Sequence, residues 1–436
     1  MQSSLFTPDF QSQPYWWDRT PRPQLPATSL PRQVDVAIIG SGYTGLCAAL
    51  QTARCGRHTV VFDAQDAGWG CSSRNGGQIS TSIKPDYQQL SRQYGAERAY
   101  RIIRTGFEAL DWIGDFIKAE GIACDFQRCG RFYAAHSPRQ FERLAKKFQQ
   151  QDSRLPQELT TEAEIIPRAE QRREIGSDYY HGGVLQPQYA SLDPARYHQG
   201  LLERAQAAGA SVLPHCPVTA LQREGSDFIV HTARGKLRAH DVIVASNGYT
   251  GALTPWLQRR VIPIGSTIIA TEPLPPELMN ELIPNNRTLV DTRRLVVYYR
   301  ASPDRRRILF GGRVSLQETE ARNSAPALHA ELTRIFPQLQ NSKISHAWMG
   351  FIAYSFDALP HLGQHAGVYY AMGYCGSGIS LSSYLGSRIG QQVLGLAEGK
   401  TALDGLQFQT RPLYSGKPWF LAPSIHYYRW LDRLGI

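Results

Sequence analysis

Apolar and polar positions along the chain fall into strand-like and helix-like patterns that alternate. Val34–Ile39 is apolar except at Asp35 and stops at Gly40, which predicts a strand buried on both faces. Thr44–Ala53 has helical composition and closes on Gly56, a suitable C-cap. Thr59–Phe62 is a second short apolar strand ending at Asp63, so the three segments predict a βαβ unit. Residues 68–82 are too rich in glycine and serine for a core element and predict a loop. Between Ala96 and Glu120, Ile103, Phe107, Leu110 and Ile117 recur at largely helical spacings, an amphipathic helix ended by Gly121.

Residues 138–180 read as mainly helical, then polar. Asp193-Pro194 opens a helix to Ala208, with an N-cap followed by proline at the first helical position. Short strands are predicted at 211–213, 218–221, 228–230 and 237–238, and a buried one at 241–245, stopped by Ser246-Asn247-Gly248. The stretches 260–271 and 295–313 are rich in β-branched and aromatic residues, with a hairpin turn at Ser302-Pro303-Asp304. A helix over 326–336 with proline in its first turn, strands at 346–353 and 368–372, and a helix over 380–396 follow. The arrangement predicts an α/β fold, Rossmann-like, with an inserted α+β domain built on an antiparallel sheet. Residues 1–32, with Tyr15, Trp16 and Trp17 among prolines, read as an extended arm packed on the larger body.

Composition narrows the class. The chain has 436 residues, 42% hydrophobic and 19% charged, which excludes a disordered or disulfide-scaffold protein. No apolar run reaches the ~18–20 residues of a membrane span, and Met1–Gln24 lacks the order of a secretory signal, so a cytoplasmic location is expected. The net charge of +10 is spread along the chain without a nucleic-acid-binding module, and no nucleic-acid partner is expected. The seven cysteines show no metal-ligand spacing, so no metal is expected. His346, His361 and His365 lack acid and nucleophile companions at informative spacing and read as structural.

Gly40-Ser41-Gly42-Tyr43-Thr44-Gly45 matches G-x-G-x-x-G between a strand and a helix. The first glycine permits the tight turn, the second lets backbone approach a pyrophosphate, and the third lets the helix pack on the strand. Asp63, 18 residues beyond Gly45, is placed to accept hydrogen bonds from an adenosine ribose. FAD and NAD share this fingerprint. The Gly68–Gln78 segment suits an extended pyrophosphate and ribityl chain. Gly373-Tyr374-Cys375-Gly376-Ser377-Gly378-Ile379 is a second glycine-rich strand–helix joint, able to stabilise negative charge on a reduced ring.

With Pro14-Tyr15-Trp16-Trp17, Ser73-Arg74-Asn75-Gly76-Gly77-Gln78, Leu309-Phe310-Gly311-Gly312-Arg313, Trp348-x-Gly350 and Asp357-x-x-Pro360-x-x-Gly363, these motifs run from Pro14 to Gly378. The sequence resembles the D-amino-acid-oxidase-like (glycine/sarcosine oxidase-type) superfamily of FAD-dependent oxidoreductases, and within it the γ-glutamylputrescine oxidase-like branch. The resemblance implies that Gly40–Gly45 bind the FAD pyrophosphate, Asp63 the ribose and Val218 the adenine through its backbone, with Ala64 also at the cofactor. It implies that Ser72, Ser73, Arg74, Asn75, Gly76, Gly77 and Gln78 line the flavin. Asn247-Gly248 would close the FAD site, and Gly376, Ser377, Gly378 and Ile379 would face the pyrimidine end. Domain boundaries are expected as an arm (1–32), FAD-binding parts (33–85, 181–258, 341–400), substrate-domain parts (86–180, 259–340) and a C-terminal extension (401–436).

Three positions depart from sarcosine-type relatives. Gly350 stands where they attach FAD through a cysteine, so the flavin is expected to be non-covalent. Ser380 replaces a lysine that binds the substrate carboxylate, which points to an amine or to a substrate gripped differently. Leu309 falls where they carry an oxygen-activating lysine. Tyr298, Tyr299, Trp348, Tyr354 and Tyr374 could line an aromatic amine pocket or serve as core; Arg313 could pair with a substrate carboxylate or lie at the surface. No catalytic acid, base or nucleophile is assigned. The expected activity is oxidation of an amine such as γ-glutamylputrescine, with hydride transfer to flavin N5, imine hydrolysis and reoxidation by oxygen. The alternatives are an amino-acid oxidase or dehydrogenase (sarcosine-, glycine- or D-amino-acid-type) using a carrier or quinone, and a flavin-binding subunit of a complex without turnover of its own.

Overall fold

The computed structural model describes residues 5–26, 28–81, 83–149, 159, 162–313 and 320–435. Two sheets organise the chain. In the first, Ser211–Leu213, Thr59–Phe62, Gln33–Ile39, Gly235–Val244 and Val368–Met372 lie parallel in that order. Their residues, such as Ile38, Val61 and Ile243, are fully buried, as a parallel sheet covered on both faces requires. Helices Tyr43–Arg54 and Gly378–Val393 pack side by side. A Cβ on Gly386 would stand 2.6 Å from the Thr44 carbonyl oxygen and one on Gly390 2.9 Å from that of Ala48, so both glycines are needed for this approach.

The sequence predicts separate strands at 237–238 and 241–245, but Gly235–Val244 is one strand. Its first half pairs antiparallel with Asp227–Thr232, and its second pairs parallel with Val368–Met372. The change of neighbour changes the hydrophobic pattern midway, which mimics a break.

The second sheet has nine strands in the order Phe6–Gln11, Ile344–Tyr354, Ile262–Thr271, Ile308–Gly312, Val297–Ala301, Thr288–Asp291, Arg131–Ala134, Gly183–Gln186 and Glu164–Ile166. Pairing is antiparallel except between Phe6–Gln11 and Ile344–Tyr354 and between Thr288–Asp291 and Arg131–Ala134, which are parallel. The hairpin at 302–304 forms as expected, closed by Ser302 N–H donating to the Arg307 carbonyl at 2.9 Å. Helix Ala321–Ile335 covers the back of this sheet with Leu328, Leu332 and Ile335. It begins before the position expected from sequence, so Pro326 lies inside it, not in the first turn.

Long-range pairing shifts the boundaries expected from sequence. Ile344–Tyr354 has both its partners in the nine-stranded sheet, so the chain rejoins the parallel sheet after Tyr354, not at 341. Gly183–Gln186 likewise belongs to the larger sheet, and the arm contributes its edge strand. In the stretch 138–180, expected to be mainly helical and then polar, Pro138–Gln149 is helical; 150–158, 160 and 161 lie outside the described residues. No helix among the described residues is long and apolar enough to cross a membrane.

Candidate active site

Backbone crowding explains the fingerprint glycines. Gly40 has φ +107°, and a Cβ on Gly45 would fall 1.9 Å from the Gly40 carbonyl oxygen. Helix Tyr43–Arg54 is capped by Gly42, with no side-chain cap and no acid in its first turn. A helix N-terminus of that kind receives an anion through free N–H groups and the positive dipole end. Asp63 holds this turn from the next strand: Oδ2 accepts from Ser41 N–H (2.9 Å) and Ser41 Oγ (2.5 Å), and Oδ1 from Gln65 N–H (3.0 Å).

Three indoles grip three consecutive residues of the following loop. Trp17 Nε1 donates to Ser73 Oγ (2.9 Å), Trp348 Nε1 to the Arg74 carbonyl (2.7 Å) and Trp16 Nε1 to the Asn75 carbonyl (2.9 Å). Asn75 organises the loop from within: its Nδ2 donates to the Cys71 and Ser72 carbonyls at 3.1 Å, and its Oδ1 accepts from Gly77 N–H at 2.9 Å. Gly77, at φ +68°, sits against the Leu192 carbonyl and the buried Arg300 guanidinium, which itself donates to Gly77 O at 3.0 Å. The Arg74 guanidinium lies 4.7 Å from the Trp17 ring and 4.2 Å from that of Trp69, and its Nε donates to the Trp69 carbonyl at 2.6 Å. Burial lowers its pKa, and among the described residues it forms no ion pair with an acid.

Where this loop meets the nine-stranded sheet, a cavity of about 710 Å³ opens between the two sheets. Gly40, Gly42, Tyr43, Thr44, Asp63 and Ala64 line it, with Ser72, Arg74, Asn75, Gly76 and Gln78. Val218 and Asn247 join them, as do Gly376, Ser377, Gly378 and Ile379. Five residues expected at the cofactor stand behind the wall instead. Ser41 and Gly45 shape the turn, Ser73 donates to the Gly68 carbonyl (2.6 Å), Gly77 packs on Leu192, and a Cβ on Gly248 would meet the Phe351 carbonyl oxygen at 2.9 Å. A long cavity beginning at an anion-accepting helix end, with glycines keeping its walls open, fits an extended dinucleotide.

The substrate expectations divide. Tyr298 lines the cavity, its ring fitted between Gly76 and Gly311, where added Cβ atoms would stand 3.0 and 2.4 Å from it. Its hydroxyl pairs with Ser266 Oγ at 2.9 Å. Tyr374 also lines the cavity, paired through its hydroxyl with Thr44 Oγ1 at 2.7 Å. Trp348, Tyr354 and Arg313 do not line it. Trp348 is covered by the Arg74 loop, the Tyr354 hydroxyl lies behind Gly376, and Arg313 donates to the Gly265 carbonyl at 2.8 Å. Tyr299 is core, its hydroxyl donating to that of Tyr180 at 3.0 Å. Leu309 is buried with Trp16 and Trp348.

The sequence reading missed Lys84 and Arg131, both in the wall. Arg131 begins a strand whose burial alternates, with Phe132 and Ala134 in the core, a period-2 signal that places it on the cavity face. Lys84 carries no pattern of its own. It is exposed and lines the cavity, and desolvation first, then the neighbouring Arg131 charge, lower its pKa.

Known proteins repeat this plan. The chain is 32% identical over 407 residues to gamma-glutamylputrescine oxidoreductase of Escherichia coli, covering 92% of this chain and 93% of the relative. It is 28% identical over 418 residues to the probable oxidoreductase OrdL of Haemophilus influenzae, covering 94% of each. Among solved structures, glycine oxidase from Geobacillus kaustophilus superposes with TM-score 0.72 at 18% identity, over 88% of this chain and 99% of that one, a likeness of fold. Residues 35–392, from the first strand of the parallel sheet to the end of the helix that flanks its cofactor turn, match the family described as FAD dependent oxidoreductase, to which this chain belongs.

Proposed function

We propose that the chain oxidises a primary amine of the γ-glutamylputrescine type beside a non-covalently held FAD, with oxygen as the final acceptor. The observation that carries the reading is the 32% identity to gamma-glutamylputrescine oxidoreductase across almost the whole of both chains. Bound FAD would supply a two-electron hydride acceptor. The neutral amine R–CH2–NH2 loses hydride from carbon and a proton from nitrogen, and water hydrolyses the imine to aldehyde and ammonia. The chain's part is to orient the C–H bond, exclude water and keep the amine uncharged. Tyr298, immobilised between two glycines, is a rigid wall for the alkyl chain, and the cationic wall residues Arg74, Lys84 and Arg131 disfavour a protonated amine. Gly378–Val393 presents its N-terminus where Gly376–Ile379 line the cavity, so negative charge at that end of the cofactor would meet free N–H groups.

The purified protein mixed anaerobically with γ-glutamylputrescine should lose its flavin absorbance within seconds. Absorbance that persists with every primary or secondary amine and amino acid tried would overturn the reading. Acid precipitation should release the flavin into the supernatant, because Gly350 offers no thiol and burial pushes the nearby Cys71 thiol up to about 11. Yellow colour remaining in the pellet would show a covalent bond.

One observation favours a second reading, a dehydrogenase that passes electrons to a carrier or quinone. Leu309, buried with Trp16 and Trp348, puts no cation where oxygen-reactive relatives are implied to have one. Fast anaerobic bleaching followed by slow recovery in air would select it.

A further inference from the structure

The cavity wall holds an excess of positive charge. Among the described residues lining it, Asp63 is the one acid, and its oxygens are engaged by Ser41 and Gln65. Against it stand Arg74, whose guanidinium is packed on Trp17 and Trp69, and the pair Lys84 and Arg131. Arg131 Nε and Nη2 donate to Gln186 Oε1 at 3.2 and 2.7 Å, and its guanidinium lies 4.3 Å from the Tyr189 ring, so it is fixed by neutral partners. Among the described residues Lys84 makes no hydrogen bond or ion pair, and it feels the Arg131 charge. Two like charges in one cavity wall, close enough for one to act on the other, are unfavourable unless an anion completes them.

Their place in the sheet sets the length of that anion's carrier. The flavin loop meets the nine-stranded sheet at two points: Arg74 lies over Gly350 and Gly76 over Tyr298. Arg131 stands on the cavity face two strands further out, because Val297–Ala301 pairs with Thr288–Asp291 and that strand with Arg131–Ala134. Neighbouring strands lie ~4.8 Å apart, which puts Arg131 roughly 10 Å from the Tyr298 strand. An α-carboxylate, two bonds from its amine nitrogen, cannot span that distance.

We propose that Lys84 and Arg131 form a carboxylate grip that selects amines carrying a carboxylate at the far end of an extended chain. The inference rests on the amine-oxidising reading and names the determinant of its substrate class. A carboxylate seated there accepts from the Lys84 ammonium and the free edge of the Arg131 guanidinium. It turns the chain along Val290 and Tyr298 toward the flavin loop. Ser380, which replaces the carboxylate-binding lysine implied for sarcosine-type relatives, is buried and donates to the Ser80 carbonyl at 3.3 Å, so that position supplies no cation.

The test is a binding titration of the oxidised holoenzyme with two inert ligands, read from the perturbation of the flavin spectrum. One is γ-glutamylbutylamide, which keeps the carboxylate and lacks the oxidisable terminal amine. The other is the same molecule with its carboxylate converted to a primary amide. Wild type should bind the carboxylate form about tenfold more tightly or better, the usual scale of a charge-assisted hydrogen bond. Lys84→Met and Arg131→Gln should each bring the two ligands to within about twofold, and Lys84→Arg should restore the preference. Equal binding of both ligands by wild type, or a preference that survives Lys84→Met, would overturn the proposal. A Lys84→Met variant altered only in the rate of reoxidation by air would also overturn it. The titration needs no turnover, so a failure of amine oxidation shows separately, as flavin that no amine bleaches.

Discussion

Trp16, in the N-terminal arm, and Asn75, in the loop that borders the cavity, are joined by a 2.9 Å hydrogen bond from indole N–H to backbone carbonyl. The arm is therefore part of the site. Trp16 is fully buried, packed with Tyr15, Leu309 and Trp348, and with Trp17 and Trp348 it holds residues 73–75 from three directions. Indole has only a donor, so each bond has one sense, and a carbonyl that loses its donor in a buried setting is left unsatisfied.

Trp16→Phe keeps most of the packing and removes that donor. It should weaken FAD retention by about 1 kcal/mol, roughly fivefold in the dissociation constant, with a smaller effect on the thermal midpoint of the apoprotein. Flavin release followed by fluorescence during dilution checks this. Retention equal to wild type would show that the bond does not position the loop.

Legibility followed locality. The βαβ unit, the glycine turn and Asp63 lie within about thirty consecutive residues, and each was recoverable because neighbours in sequence are neighbours in the site. The parts that escaped depend on long-range pairing. Nothing near Phe6 announces that it will edge a sheet beside Ile344, and nothing near 344 announces that this strand leaves the parallel sheet. Trp348 and Tyr354 share a strand face with Gly350 and Ile352, yet only the two middle residues line the cavity. The Arg74 loop covers Trp348 at one end of that face, and Gly376 stands in front of Tyr354 at the other. Lys84 and Arg131 escaped for the same reason: 47 residues apart, they are brought together by a cavity and not by a motif.

His198 ties helix Pro194–Ala207 to the fingerprint turn, its Nε2 lying 2.7 Å from the Ser41 carbonyl, so this nitrogen carries the proton. A Cβ on Gly68 would strike the ring at 2.3 Å, which shows how closely it is enclosed. Burial lowers its pKa from 6.5 to about 4, keeping the imidazole neutral in the folded protein. Between those values the unfolded chain binds a proton that the folded one does not, so stability falls as pH drops through this window and levels off below about pH 4. The contribution of this group should be roughly 3 kcal/mol. Urea unfolding at pH 7 and pH 4 measures it against His198→Gln, which keeps an N–H donor and does not titrate. Wild type should lose more stability than the variant on acidification, and an equal loss would refute the assignment.

The Lys84 ammonium gives the carboxylate preference a pH dependence of definite sign. Burial first and then Arg131 hold its pKa below the ordinary 10.5, against the opposing charge of Cys375, whose own thiol is pushed up by burial. In the empty site Lys84 therefore loses its proton more readily than a surface lysine. A bound carboxylate favours the charged form and raises that pKa again, so above the empty-site value binding must take up a proton. The ratio of affinities for the carboxylate and amide forms of γ-glutamylbutylamide should be largest near neutrality and shrink as pH rises through the lowered pKa. Lys84→Arg should hold the ratio constant across the same range, because guanidinium does not titrate there. A ratio that is flat in wild type, or that falls equally in Lys84→Arg, would place the pH-sensitive group elsewhere. The paired titrations thus separate a lysine that grips the substrate from one that only lines the wall.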